Sequence, residues 1–307
     1  MIKFFLGCVA FVAVLTAVVR LAKLMVRKEQ NASRALGTTL GCTGLILLVW
    51  FFLTGGFPQW KPRPEADPTK PPEKIMVIPV ETRVVPPLIL PHPLEVLAAF
   101  PRLHFEQALV RNLFISFRRV TLGFALAAIL AVPLGLYMAT FPAVANFFKP
   151  VSLVGSYVPI VVFAPLTAAW FGPNETQKVV FLFIGCFVAL LPLVIKTVAG
   201  VNAAYLEVAA TKGATDWQLV KDVLFPVSMA DIWDHLRGVY GVGWGWIILA
   251  EVYSGEGGLG YLISVSERRG HTNAIFAVVI VIVAVAIICD RIWRLGGELL
   301  FPYRQRK

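Results

Sequence analysis

The sequence predicts an all-α, polytopic membrane protein with seven transmembrane helices. Three observations carry that expectation. The composition is 58 % hydrophobic with a mean hydropathy of +0.75, well above the roughly 45–50 % apolar content of soluble domains. Four long runs, residues 35–57, 120–148, 150–173 and 272–289, contain no charged residue at all. A spanning helix needs about 20 apolar residues, and open sheet edges cannot face lipid, so the runs read as helices rather than strands.

The elements follow in chain order. Residues 4–19 are a shorter apolar run bounded by Lys3 and Arg20, whose stems can snorkel to the interface. A basic loop with Arg20, Lys23, Arg27, Lys28 and Arg34 completes an N-terminal segment, 1–34, and the run 35–57 is the second span. Residues 58–101 hold 12 of the 21 prolines. Proline has no N–H and blocks the helical turn, so this segment is expected to be an extended, solvated strap. A helical pattern resumes at Pro93, and residues 102–300 form the remaining body. Its spans are expected at 120–148, 150–173, 179–195, 238–250 and 272–289, followed by a basic tail, 301–307. In the fourth span Pro159 and Pro165 should distort the helix and free carbonyls. "SGEGGLG" after Glu251 has enough glycine for a tight, non-spanning turn.

The net charge of +10 comes from basic residues beside span ends, the pattern of positive-inside loops. No basic–aromatic ladder or zinc spacing supports nucleic-acid binding. Cys8, Cys42, Cys186 and Cys289 all lie in apolar runs and read as small hydrophobes. The four histidines are scattered, and no metal site is expected. Nothing fits GxxxxGK[ST], HExxH or GxSxG, so no catalytic site and no nucleotide cofactor is expected in this chain. Buried acids in matched broken helices, which an ion-coupled carrier would need, are missing. That weighs against the alternative of an ion-coupled secondary transporter or channel. A membrane-embedded enzyme lacks its polar cluster.

The segment "EVAATKGATDWQLVKDVLFP", residues 207–226, is polar where its surroundings are not. Gly213 sits where a left-handed cap would end a first short helix. Thr215 followed by Gln218 is a capping-box pattern. Trp217, Val220 and Leu224 make one apolar stripe, and Pro226 is expected to stop the second helix. A helix lying on the lipid surface and a helix docked in a partner's groove both fit this pattern.

This segment resembles the EAA loop of permease subunits of ABC importers, E-A-A, three residues, G, nine residues, I-x-L-P. Glu207, Ala209, Gly213 and Pro226 match in register, while Val208, Val223 and Phe225 are replacements. "LPHPLEVLAAF" (90–100), "SFRRVTLGFALAAILAVPLGL" (116–136), "VPIVVFAPLTAAWFG" (158–172) and "AEVYSGEGGLGYLI" (250–263) are similar to the nitrate/sulfonate/taurine/bicarbonate branch. The likeness covers residues 39–57 and 88–300, leaving an extra N-terminal helix and most of the strap outside it.

The resemblance implies a type I importer permease core with a cytoplasmic coupling loop, 201–230, in a bacterial inner membrane. It implies a cytoplasmic ATPase subunit that binds the ATP, an extracytoplasmic solute-binding protein, and a second permease copy or relative. Glu207, Ala209, Gly213, Trp217, Val220 and Pro226 would couple to the ATPase. Ser156, Tyr157 and Pro159 would lie on the solute path, as would Glu251, which alternatively pairs across the bundle or lies at the water interface. Ser156-Tyr157 stands where some relatives have Arg-Asn, and Glu267 and Asn273 stand where Arg and Asp are frequent. Basic residues in the first loop, the coupling loop and the tail put the C-terminus inside and, with seven spans, Met1 outside.

Overall fold

The computed structural model describes residues 32–55, 59–62, 74–77 and 83–303. The expected first span, the Met1 orientation, Cys8 and the end of the tail lie outside these residues. The chain divides into two compact units, residues 1–93 and 94–307.

In the first unit, α1 (Ala32–Leu53) realises the second expected span. The Trp50 indole N–H donates to the Pro91 carbonyl at 2.8 Å, tying the helix end to the chain that leaves the strap. The strap itself contains a two-stranded antiparallel ribbon, β1 (Gln59–Pro62) and β2 (Lys74–Val77), registered Gln59 to Val77 and Pro62 to Lys74. With two strands, both are edges, which is where a proline such as Pro62 is tolerated.

The second unit is helical throughout its described length. After α2 (Pro93–Phe105) come α3 (Leu109–Thr140), α4 (Pro142–Tyr157), a 3-10 turn (Ile160–Val162) and α5 (Phe163–Phe171). Then follow α6 (Glu175–Ala199), α7 (Ala203–Thr211), α8 (Phe225–Ser254), α9 (Leu259–Arg268) and α10 (Thr272–Leu300). Three of these, α3, α6 and α10, are long and apolar enough to cross a membrane outright, and residues 39–53 and 160–171 are shorter apolar stretches.

The helix count therefore departs from seven uniform spans. The uncharged run 150–173 is not one helix: it breaks after Tyr157, where Pro159 takes an extended conformation (φ −60°, ψ 129°). Pro165 distorts nothing, because it falls in the first turn of α5, where no intrahelical N–H is needed. The short run 238–250 is the middle of the 30-residue α8.

Helix α3 packs on α6 through small residues. Gly123, Ala127, Ala131 and Gly135 recur every fourth position, and the two alanines are fully buried. A Cβ on Gly123 would lie 2.5 Å from the Leu182 Cβ, and one on Gly135 would lie 2.6 Å from Val194 Cγ1. Small residues at this spacing let two backbones approach closely within a membrane. Because the contacts advance together along both chains, α3 and α6 run parallel, with α4 and α5 making the return. Helix α8 runs antiparallel to both: Tyr240 meets Phe124 at 5.1 Å between ring centroids, and His235 Nε2 lies 2.9 Å from the Thr197 hydroxyl. Helix α10 closes on α8, where Trp233 lies against Gly296 and Gly297 and donates to the Trp293 carbonyl at 2.9 Å.

This arrangement gives the second unit two ends. The N-termini of α3, α6 and α9 meet the C-terminus of α8 at one. The α6–α8 connection, with α7, occupies the other.

Candidate functional sites at the two ends of the bundle

At the α6–α8 connection, Asn202 caps α7, its side chain accepting from the Ala204 N–H at 3.0 Å. The helix ends at Lys212, and Gly213 takes φ +79°. The Ala214 N–H returns to the Ala209 carbonyl (3.1 Å) and the Gly213 N–H to the Ala210 carbonyl (2.9 Å). This pair of bonds is the Schellman motif, which satisfies the last carbonyls of a helix. Two residues on, Thr215 and Gln218 form a reciprocal capping box. The Thr215 N–H donates to Gln218 Oε1 at 2.8 Å, and the Gln218 N–H to Thr215 Oγ1 at 3.4 Å. Both devices expected from sequence are present, and they fix a sharp elbow around Gly213.

The second limb of the elbow is not a separate short helix. One α-turn, Asp216–Gln218, passes into a π segment, Leu219–Leu224, and then directly into α8. Pro226 does not stop the helix. It sits in the first turn of α8, where its missing N–H falls beside the π register. The Phe225 N–H reaches back to the Val220 carbonyl, and the freed Leu224 carbonyl accepts from Ser228 Oγ at 2.6 Å. A π-bulge absorbs the bonding gap that would otherwise kink the helix.

The apolar stripe of this limb splits. Val220 and Leu224 are buried within the chain. Trp217 is 57 % exposed, and its ring stacks on Tyr137 near the end of α3 (6.4 Å, 20°), which stacks in turn on Phe141 (6.0 Å). Glu207, Gly213 and Pro226 are exposed and Ala209 half-exposed.

Ser156 and Tyr157 form the last positions of α4, immediately before the break at Pro159. Tyr157 is 82 % exposed. A cavity of about 360 Å³ adjoins the break, lined by Val158, Ile160, Phe163, Gly185, Ala189 and Trp246 among others, none of them charged. Glu251 is not brought to this segment.

Glu251 lies at the other end, completely buried. It pairs across the bundle: Arg119 Nη1 donates to its Oε1 at 2.8 Å, and the Ser116 hydroxyl lies 2.8 and 2.9 Å from its two oxygens. Its Oε2 also accepts the Gly260 N–H at 2.9 Å, while Ser116 Oγ accepts the Leu259 N–H at 2.9 Å. The first amides of α9 are thus capped by side chains from α3 and α8, with a carboxylate at the positive end of the helix. Gly258, the residue before α9, has φ +104°, and a Cβ there would collide with the Glu251 carboxyl group.

Arg119 uses all five of its N–H donors. Besides Glu251, Nη1 donates to the Gly257 carbonyl and Nη2 to the Glu256 carbonyl, both at 2.9 Å. Nε donates to Glu175 Oε2 at 3.0 Å, and Nη2 to Glu175 Oε1. Lys178, also fully buried, reaches the Glu256 carboxylate at 3.0 Å and Glu175 at 3.7 Å. Arg118 adds a contact to Glu175 at 3.1 Å. Three cations and three anions therefore neutralise one another. Sequence reasoning singled out Glu251 but none of its partners. Arg119 lies 132 positions away, and the available signal was its place at the edge of an apolar run.

Apolar helices joined by small-residue packing, with a doubly capped polar elbow between two of them, define a membrane-embedded permease. Residues 131–295 match the family described as binding-protein-dependent transport system inner membrane component. A putative ABC transporter permease of Methanocaldococcus jannaschii is 32 % identical over 199 residues, 64 % of this chain and 74 % of its own length. The taurine transport system permease protein of Escherichia coli is 27 % identical over 226 residues, 72 % of this chain and 82 % of its own. A solved structure of the MetNI methionine ABC transporter in an inward-facing conformation aligns with a TM-score of 0.52 at 17 % identity, over 61 % of this chain and 95 % of that one. At that identity the likeness speaks for the fold alone. The chain belongs to the inner-membrane-component family of binding-protein-dependent transport systems. It is a multi-pass permease subunit of an ABC importer, and such a permease is not itself an enzyme.

Proposed function

We propose that this chain moves a small solute of the nitrate, sulfonate, taurine or bicarbonate class across the inner membrane, driven by ATP bound and hydrolysed in a separate cytoplasmic subunit. The relatives named for taurine, aliphatic sulfonates and nitrate support that class. An extracytoplasmic binding protein delivers the solute, and two copies, or this chain and a second permease, enclose the path. The elbow of residues 203–226 faces the cytoplasm and docks on the ATPase, while the buried hub around Glu251 lies at the outer end. The C-terminus is cytoplasmic.

The observation that carries this reading is the elbow itself. A free surface helix needs no Schellman turn and capping box back to back. A lever does, because it must keep its angle under load. Trp217 presents an exposed aromatic face on the limb that continues into α8, suited to a partner's groove. The break at Ser156, Tyr157 and Pro159 lies beside an uncharged cavity, a suitable place for the path because irregular backbone is tolerated at membrane depth where it lines a cavity. The experiment is reconstitution. This chain in liposomes with its co-expressed ATPase subunit should accumulate solute only with ATP, and a proton or sodium gradient alone should drive nothing. Uptake driven by an ion gradient without the ATPase would favour a secondary transporter instead.

A further inference from the structure

We propose that the hub of Ser116, Arg119, Glu175, Lys178, Glu251 and Glu256 is a permanently closed joint. It makes the outer end of the bundle move as one body with the coupling element. This rests on the proposed function above and adds the route by which the two ends communicate.

Two observations carry it. The first is continuity. From Asp216 to Ser254 the chain is one uninterrupted helical run, α-turn, π segment and α8, roughly 50 Å from the elbow to Glu251 at 1.5 Å per residue. Whatever displaces Trp217 displaces the start of this rod. The second is the density of the anchor at its far end. The Glu251 carboxylate binds α3 through Arg119 and Ser116 and α9 through the Gly260 N–H. Arg119 in turn binds the first residue of α6, Glu175, and the carbonyls of Glu256 and Gly257 in the α8–α9 turn. Asn112 accepts the Gly258 N–H at 2.7 Å. Four helix termini and one turn therefore share a single network with every guanidinium donor used. Separating any helix from it strands a charge away from water, which the remaining members cannot offset. The hub is thus a poor gate and a good joint. Motion of the rod must carry α3, the start of α6 and α9 with it.

The test reads the two ends separately. In a cysteine-free background, spin labels are placed on Lys212→Cys at the elbow or on Arg268→Cys at the exposed end of α9. The full complex is reconstituted with its ATPase subunit, and distances between the two permease copies are compared before and after trapping with ATP and orthovanadate. Trapping should shift both distances in the otherwise native protein. The variant Arg119→Met with Glu251→Gln removes both buried charges and keeps a side-chain oxygen to cap α9. In it the shift at position 212 should persist and the shift at 268 should be lost or fall to less than half. An unchanged shift at 268 overturns the joint. If the doubly substituted chain does not assemble, a second variant decides. Ser116→Cys with Leu259→Cys places a disulfide across the network, and oxidised complexes should transport like reduced ones. Transport abolished by oxidation and restored by reductant means the hub opens during the cycle, and the proposal fails. If neither label moves in the native protein, the coupling reading itself is at fault.

Discussion

At the scale of single residues, the most constrained positions are Gly258 and Arg119. Gly258 combines a left-handed backbone with the Glu251 carboxylate where a side chain would begin. Gly258→Ala should lower the thermal stability of the detergent-purified protein and its yield, and an unchanged melting temperature contradicts the packing described. Arg119→Ala leaves Glu251 buried without its cation. Breaking such a pair costs about 3–5 kcal/mol, so denaturation should show a loss of that order. Gly213 is a different case. Its φ is +79°, yet a Cβ there meets nothing within 4 Å. Gly213→Val therefore tests conformation alone, at about 1–2 kcal/mol for a left-handed residue. The chain should still insert, while transport and stimulated ATPase activity fall together. Full activity of both would remove the elbow from the mechanism. The sequence discloses Gly213 and Thr215 because caps are local: the residues that bond lie within five positions of each other. It does not disclose Arg119 as a buried residue. A span read from uncharged runs starts after Arg119, at Val120, whereas α3 begins at Leu109 and takes the charge inside because three acceptor groups await it.

At the scale of elements, the same limit explains the misplaced boundaries. An uncharged run says where lipid is tolerated, not where a helix continues. Residues 150–173 satisfy the first condition and fail the second at Pro159. Arg237 seemed to bound a short span, yet it lies inside α8 and pairs with Asp290 of α10 at 3.2 Å. Pro226 was expected to end a helix, and the π segment before it keeps the helix going. The small-residue stripe of α3 was readable as a four-residue repeat, and it became informative once α6 was placed on it. Two elements give testable behaviour. If Ser156 and Tyr157 face the path, single cysteines at these positions should react with a small polar thiol reagent, and the reaction rate should change when ATP is trapped. Inertness in every state tells against the path. Trp217→Ala removes both the stack on Tyr137 and the exposed aromatic face. Loss of an interface anchor typically costs about 2 kcal/mol or more, so co-purification of the ATPase should weaken some tenfold or beyond.

At the scale of the whole molecule, the account assigns each end of the core one task. The elbow end receives force, the parallel pair α3 and α6 with α8 carries it, and the hub end keeps four helix termini in register. Orientation follows from the basic residues beside the elbow, Lys196, Lys212, Lys221 and Arg237, which belong on the cytoplasmic side. The central claim is that the elbow touches the ATPase. The most direct measurement places a photo-crosslinking amino acid at Trp217 in the assembled complex and identifies what it captures by mass spectrometry. The account predicts a covalent product with the ATPase subunit, diminished when Gly213 is replaced by Val. Crosslinks to lipid alone would make this limb a surface helix and contradict the account.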